Sequence, residues 1–552
     1  MSRQKNKGKP LDPTRPVESL TSVQCDERQP SCGTCTRLGK VCQKSPVEFR
    51  FRPVDVPKPR ATVSGKQARS PSSQPASANQ ACNQLSHHSD PCITDLDIVR
   101  SLQHTERDVF YETHWEAVCL PAVHPLFQLS SASAWKHPIL KDALLALSSC
   151  NMSRLGPEHK RVSNGNTHAF GPNLVHQTRS QLYYSSAIKG FNSMSPAEHQ
   201  YHTAIIFTVL ILFAYLESSM GNFEGFYCHM QGLATFLMDS RGALGDKHLH
   251  GLLIAWQQVR YVVWWARVYF SSLDIQRGLP PVPMPSLLEG CFESMHGRRI
   301  MALDIMCESH RLSFQEALRH WGPEIENPGI DHGVYALLAA ETRKSDEWLA
   351  HLPESEQPIK SDLDNDLSMS VSFQSHDAAL NFAYYVAGRI MQCPDALSRL
   401  ETPIYSSSAS NICAAEDWVR LLLGIARGIN IQTAISRNSY TIGFSGLFLA
   451  VILRCQNLTL GFEIQDWLES LVRLQPTEEG AFPVYQTLGA VKAINHQRVL
   501  GREIFGISQP VDDGGGTPKF ACYNSQSITS LLLHGRFSES GGLFTASVLI
   551  PT

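Results

Sequence analysis

The chain has 552 residues, 43% hydrophobic and 18% charged, which fits folded globular domains and excludes a wholly disordered or collagen-like polymer. Its net charge of −3 hides an asymmetry: residues 1–69 hold 15 Lys and Arg against 6 Asp and Glu, and the remainder holds 33 against 45. A basic head on an acidic body points toward a polyanion, although on charge alone a solvated basic tail is the simpler reading.

Residues 1–24 read as a disordered basic segment, with Lys5, Lys7 and Lys9 alternating. The first twenty residues contain no apolar core of a secretory signal, so a reducing compartment is expected. Fifteen cysteines are present, four of them between Cys25 and Cys42 and eleven scattered singly. Under reducing conditions the cluster reads as metal ligands, and the scattered thiols read as small core residues. Residues 43–95, rich in Pro, Ser, Gln and Ala, read as a disordered linker, since they lack the apolar surface to offset ordering entropy.

From residue 96 to about 510 the text is helical. Leu140, Leu144 and Leu147 share one face. Ala204 to Leu216 is an apolar run too short to span a bilayer, which predicts a buried core helix and no membrane partner. Leu380, Ala383, Tyr384, Ala387 and Met391 repeat with helical period behind a candidate N-cap, Ser375. Trp418, Leu421, Leu422, Ile425 and Ile429 do the same, as do Ile464, Trp467, Leu468, Leu471 and Val472. Strand signals are sparse, so the fold class expected is all-α. Long loops are expected at about 156–177, 276–300 and 506–520, the second forced by Pro280, Pro281, Pro283 and Pro285, and residues 511–552 read as a C-terminal tail.

The cysteine cluster is Cys25-x6-Cys32-x2-Cys35-x6-Cys42. Two thiolates three residues apart reach one metal from a tight turn, and zinc prefers four soft ligands in a tetrahedron. Four free thiols in a disordered head are the alternative, and ligand spacing argues against it.

This segment resembles the second half of the fungal binuclear zinc cluster, in which six thiolates hold two zinc ions. Pro30 matches the loop proline, Cys25, Cys32, Cys35 and Cys42 match the third to sixth ligands, and Arg37 and Gly39 fit the second helix and its exit. The family's first two cysteines would fall at Arg15 and Glu18, which supply no thiolate. The stretch that carries DNA-contacting basic residues in the family is here Ser19 to Gln24, without charge. Three accounts compete: a wrongly joined upstream exon, a regulator that no longer binds DNA, and a single zinc held by four cysteines. The body resembles, more diffusely, the helical regulatory domain of the same family, through Trp135 to Ser148, Phe226 to Gly242 and Val263 to Pro281.

The resemblance implies a nuclear, zinc-dependent regulator of RNA polymerase II transcription that binds DNA, often as a dimer. It implies metal at Cys25, Cys32, Cys35 and Cys42, with Arg37, Lys40, Arg50 and Arg52 as candidates for contact with the DNA backbone. The helical body would then answer to an effector or coregulator. A helical ligand- or partner-binding protein that does not bind DNA is the rival from another class. No P-loop, G-x-S-x-G or H-E-x-x-H occurs, and Gly443-Phe-Ser445-Gly446 has the wrong spacing for the second, so no enzyme is expected. Single residues of the body get structural readings: His229 as a satisfied buried histidine, Trp264, Trp265 and Tyr269 as core or interface aromatics, Arg267 as locally paired or capping carbonyls, and Gly232 as a close-approach point between helices. His199 and His202 could share a helix face, with no third ligand nearby in sequence.

Overall fold

The computed structural model describes residues 104–127, 135–155, 158–161, 168–220, 222–239, 246–269, 271–321, 330–359, 370–401, 413–474, 476, 478–480, 482–509 and 530–550. All of them belong to the unit Pro53–Thr552. The described chain is predominantly helical.

The N-terminal layer begins with α1 (His104–His114), which runs into a π turn over Trp115–Cys119. α2 (Pro138–Leu155) and α3 (Leu174–Ser193) pack closely and are joined through a hairpin of β1 (Glu158–Arg161) and β2 (His168–Gly171). The loop expected at 156–177 therefore contains a strand pair and the start of a helix, whose N-cap Asn173 accepts from the amides of Val175 and His176. α2 is buried all round from Ala143 to Cys150, where one apolar face was expected. The cause is its position: α3 covers one side and α5 (Thr203–Ser219) the other, with α4 (Pro196–Tyr201) leading into α5.

The expected core helix is present. Every residue from Ile206 to Leu216 in α5 is buried. α6 (Phe223–Asp239) and α7 (Asp246–Tyr269) pack on it, so its apolar surface is met from several directions. The proline loop follows α8 (Leu273–Gly278), and α7 holds it by its carbonyls: Trp264 Nε1 donates to Pro280 (2.8 Å) and Arg260 donates to Pro283 (2.9 Å). Prolines cannot donate, but their carbonyls remain available, which is how a loop without internal helix bonds is fastened.

α9 (Met295–Leu318) lies against α7, α10 (His332–Ala350) and α11 (His376–Gln392). The Ser375 side chain accepts from the Ala378 amide at 3.1 Å, so the expected N-cap is present. Leu380, Ala383, Tyr384, Ala387 and Met391 are all buried. Arg298 forms a buried ion pair with Glu356, and Arg299 meets Asp377 (2.6 Å) and Asn381 (2.7 Å), tying α9 to the chain around α11. After α12 (Asp395–Glu401), α13 (Cys413–Gly428) packs on α11 with Leu422 and Ile425 fully buried. α14 (Ile431–Arg437), α15 (Phe444–Ile452), α16 (Leu458–Val472) and α17 (Val484–Val499) complete the helical body, with the short pair β3 (Glu478–Glu479) and β4 (Phe482–Pro483) between the last two. In α16, Ile464, Trp467, Leu468 and Leu471 are buried as the period predicts, whereas Val472 at the helix end is exposed.

The sheet is what the all-α reading lacks. β5 (Arg502–Ser508), β6 (Ser530–Phe537) and β7 (Leu543–Leu549) form an antiparallel sheet in that order, so the segment assigned to a C-terminal tail contributes two strands. β5 leaves α17 through Gly501 at φ 73, a conformation that favours glycine, and packs on α17 and α9. Trp321 Nε1 donates to the Phe544 carbonyl at 2.9 Å, fastening β7 to the body. Among the described residues no helix is long and apolar enough to cross a membrane.

Candidate functional site

Cys25, Cys32, Cys35 and Cys42, together with Arg37, Lys40, Arg50 and Arg52, lie outside the described residues. Their fit to zinc rests on donor chemistry: four thiolates satisfy one tetrahedral ion and fall short of the six needed for a binuclear cluster. Within the body, no group of three or more His, Cys, Asp or Glu side chains among the described residues could hold a metal. His199 stacks on Phe191, and the ring of His202 meets that of His137 at 4.9 Å, so the two histidines flagged by spacing have separate aromatic partners. Of the scattered cysteines, Cys119, Cys150, Cys307 and Cys455 are buried, while Cys228 is exposed and Cys291 and Cys393 are half-buried.

A cleft of about 60 Å³ opens where the C-terminal ends of α2 and α5 meet α14 and β3. Asn151, Arg154, Ser219, Ser439, Tyr440 and Glu478 line it. Arg154 pairs with Glu478 across its wall, Nε to Oε2 at 3.2 Å. Asn151 is oriented by His114, whose Nε2 lies 2.9 Å from its Oδ1. Burial pushes the Tyr440 phenol well above its ordinary range, so it remains a neutral hydroxyl.

Directly beneath is a buried carboxylate. Glu479 is fully enclosed and accepts from the amides of Phe444 (3.1 Å) and Ser445 (2.7 Å) at the start of α15. Asn438 Nδ2 donates to it at 2.6 Å, and Ser445 Oγ lies 2.7 Å from it. His376 Nε2 reaches Asn438 Oδ1 at 2.8 Å, extending the network to the start of α11. Burial pushes the Glu479 carboxyl up, against the hydrogen bonds that pull it down. Two glycines make room: a Cβ on Gly443 would meet the Glu479 carboxylate, and Gly480, at φ 62, sits against the Gly443 backbone.

These contacts say what Gly443-Phe-Ser445-Gly446 does. Ser445 is wholly buried and engaged by Glu479, so it anchors a helix start and has no exposed nucleophilic oxygen. The cleft offers hydroxyls, an amide and a paired charge to a small polar group, without His or Cys in its lining. Sequence reasoning missed Asn438, Glu478 and Glu479; the near-miss glycine-serine pattern was the one signal pointing to this region.

The other residues singled out in the body are structural. His229 lies buried with its Nε2 2.6 Å from the Tyr184 hydroxyl, which donates to the buried Glu217 at 2.6 Å. Trp264, Trp265 and Tyr269 are core aromatics, with Trp265 Nε1 donating to the Gly446 carbonyl at 3.3 Å. Arg267 pairs locally with Tyr227, donating to its hydroxyl and lying 5.1 Å from its ring centroid. Gly232 is buried.

Comparison of the chain with family models, with curated proteins and with solved structures gave no match.

Proposed function

We propose that this chain is a zinc-dependent, DNA-binding regulator of RNA polymerase II transcription acting in the nucleus, with the helical body serving regulation or partner contacts. One observation carries the reading: Cys25-x6-Cys32-x2-Cys35-x6-Cys42 in a basic head, joined by a Pro- and Ser-rich linker to a large helical body. In this reading the four cysteines bind one zinc, which supplies most of the folding free energy of a head too small for an apolar core. Arg37, Lys40, Arg50 and Arg52 then meet phosphates, which position a protein on DNA without reading its sequence. The predominantly helical body supports the regulatory half of the proposal.

The uncharged stretch Ser19 to Gln24, and Arg15 and Glu18 in place of thiolates, favour a second reading: a helical ligand- or partner-binding protein that does not use DNA. A titration against GC-rich half-sites and scrambled DNA at two salt concentrations separates them. The regulator, as this sequence stands, binds weakly, with steep salt dependence and little sequence preference. It gains specificity when Arg15→Cys and Glu18→Cys are combined with lysines in 19–24. Absence of salt-sensitive DNA binding in both forms overturns the first reading.

A further inference from the structure

A chamber of about 10 Å³ adjoins the cleft of Asn151 and Arg154, sharing Ser219, Ser439, Tyr440 and Glu478 with it and adding Tyr215 of α5 to the walls. Tyr215 is 2% exposed, and its hydroxyl has no hydrogen-bond partner. Burial pushes that phenol well above its ordinary range, so it is a neutral O–H without an acceptor. Buried polar groups in folded proteins are hydrogen-bonded, and one left over beside a cavity points to a bound molecule that completes it. The other hydroxyls of the walls have their protons committed. Ser219 Oγ donates to the Tyr215 carbonyl (2.8 Å), Ser439 Oγ to the Ser436 carbonyl (3.1 Å) and the Tyr440 hydroxyl to Cys119 Sγ (3.8 Å). Their oxygens therefore have lone pairs to offer. The charges of Arg154 and Glu478 are engaged with each other.

We infer that the cleft and its chamber form a binding site for a short neutral polyol of about glycerol size, with the Tyr215 hydroxyl donating to one ligand oxygen and the Ser219 and Ser439 oxygens accepting from others. The size follows from the cleft, whose 60 Å³ holds about four to six water-sized groups. The class follows from the lining. A carboxylate would bring lone pairs to the serine lone pairs and a charge to a pair already balanced. An ammonium would bring no acceptor to Tyr215. A hydroxyl both donates and accepts, so a molecule carrying several of them satisfies the serine oxygens and the phenol together, whereas a single amide reaches fewer of these separate positions. The polyol's role as an effector rests on the reading of the helical body as the regulatory part of the chain; its binding does not.

The test is saturation-transfer NMR of the full chain without DNA, titrated with glycerol, glycerate, ethanolammonium or acetamide. Glycerol is expected to saturate in the millimolar range, and the other three to bind roughly tenfold more weakly. Tyr215→Phe keeps the ring and removes only the unpartnered hydroxyl, so it is expected to weaken glycerol roughly tenfold without lowering Tm. Should Tyr215→Phe fail to fold, Ser439→Val, which narrows the cleft, is expected to abolish the glycerol signal. No saturable glycerol signal in the wild type, glycerate, ethanolammonium or acetamide binding as tightly as glycerol, or a glycerol affinity unchanged in either variant overturns the site. The DNA titration reads separately: its failure removes the transcriptional role and leaves glycerol binding standing, and failure of glycerol binding leaves the DNA reading untouched.

Discussion

Glu479 and Arg498 close opposite ends of one buried helix. The carboxylate accepts the first amides of α15, from Phe444 and Ser445, and the guanidinium donates to the Ile452 carbonyl at the last residue of that helix. Each charge sits where the aligned peptide dipoles favour it, negative at the amino end and positive at the carboxyl end. Because α15 is buried along its whole length, neither set of orphan backbone groups can turn to water.

Replacing either charge should therefore be expensive. Glu479→Gln turns an amide donor toward one of the two amides, Phe444 on Oε1 or Ser445 on Oε2, and is expected to lose about 2–4 kcal/mol, and Arg498→Met about 1–3 kcal/mol. The helix is about 13 Å long, so the double variant should be additive to about 0.5 kcal/mol. Urea denaturation of the four proteins reads this. A coupling well above that value would show that the two ends communicate through more than the helix between them.

The N-cap at Ser375 offers a smaller, cleaner perturbation. Ser375→Ala should cost about 1 kcal/mol and Ser375→Gly only a few tenths, because Gly still permits the extended cap conformation. Equal losses for the two variants would assign the effect to something other than the cap.

Stability should fall as the medium is acidified below about pH 6.5. Burial holds His534 at about 4 and His310 at about 3, the latter with help from Arg454, and His296 stands at about 4 by burial and Arg299. Each is neutral when folded and protonates near 6.5 when unfolded, so the unfolded chain binds more protons in that window. Each unit of depression corresponds to about 1.4 kcal/mol. Asp377 acts at lower pH: burial pushes it up but Arg299 prevails and holds it at about 2, so its contribution is lost only below the ordinary carboxylate range. The urea midpoint is expected to drop between about pH 7 and about pH 5, and His534→Gln to flatten the drop. An unchanged midpoint in the wild type contradicts the assignment.

Metal content tests the head directly. Four thiolates bind at most one zinc per chain, and Cys32→Ala should remove it, leaving the helical signal of the body unchanged. Two zinc ions per chain in purified protein would mean that donors outside Cys25, Cys32, Cys35 and Cys42 complete a second site.

Much of the helical body was legible because burial imposes a period. The run Ala204 to Leu216 and the face Leu380, Ala383, Tyr384, Ala387 and Met391 end up where their spacing places them. The C-terminal sheet was not legible. In β6, Leu531 and Leu533 are buried, but so are His534, Gly535 and Arg536, and this breaks the alternation by which a half-buried strand is recognised. Arg536 is tolerated inside because Glu503, brought opposite it by the β5–β6 register, takes its guanidinium at 2.6 Å. The turn between β6 and β7 had a local signal, Gly541 at φ 70, that gains meaning only when two strands flank it.

The same division holds for the sites. The cysteine spacing, the basic composition of residues 1–69, the Pro- and Ser-rich composition of residues 43–95 and the periods of the long helices are properties of neighbouring residues, so the linear text by itself determined them. The cleft of Asn151, Arg154, Tyr440 and Glu478, the chamber that adds Tyr215 to it, and the carboxylate of Glu479 on α15 join residues from distant parts of the chain. Only the tertiary structure decided these, because a charge far apart in sequence from its partners is costly or harmless according to which groups the fold carries to its side.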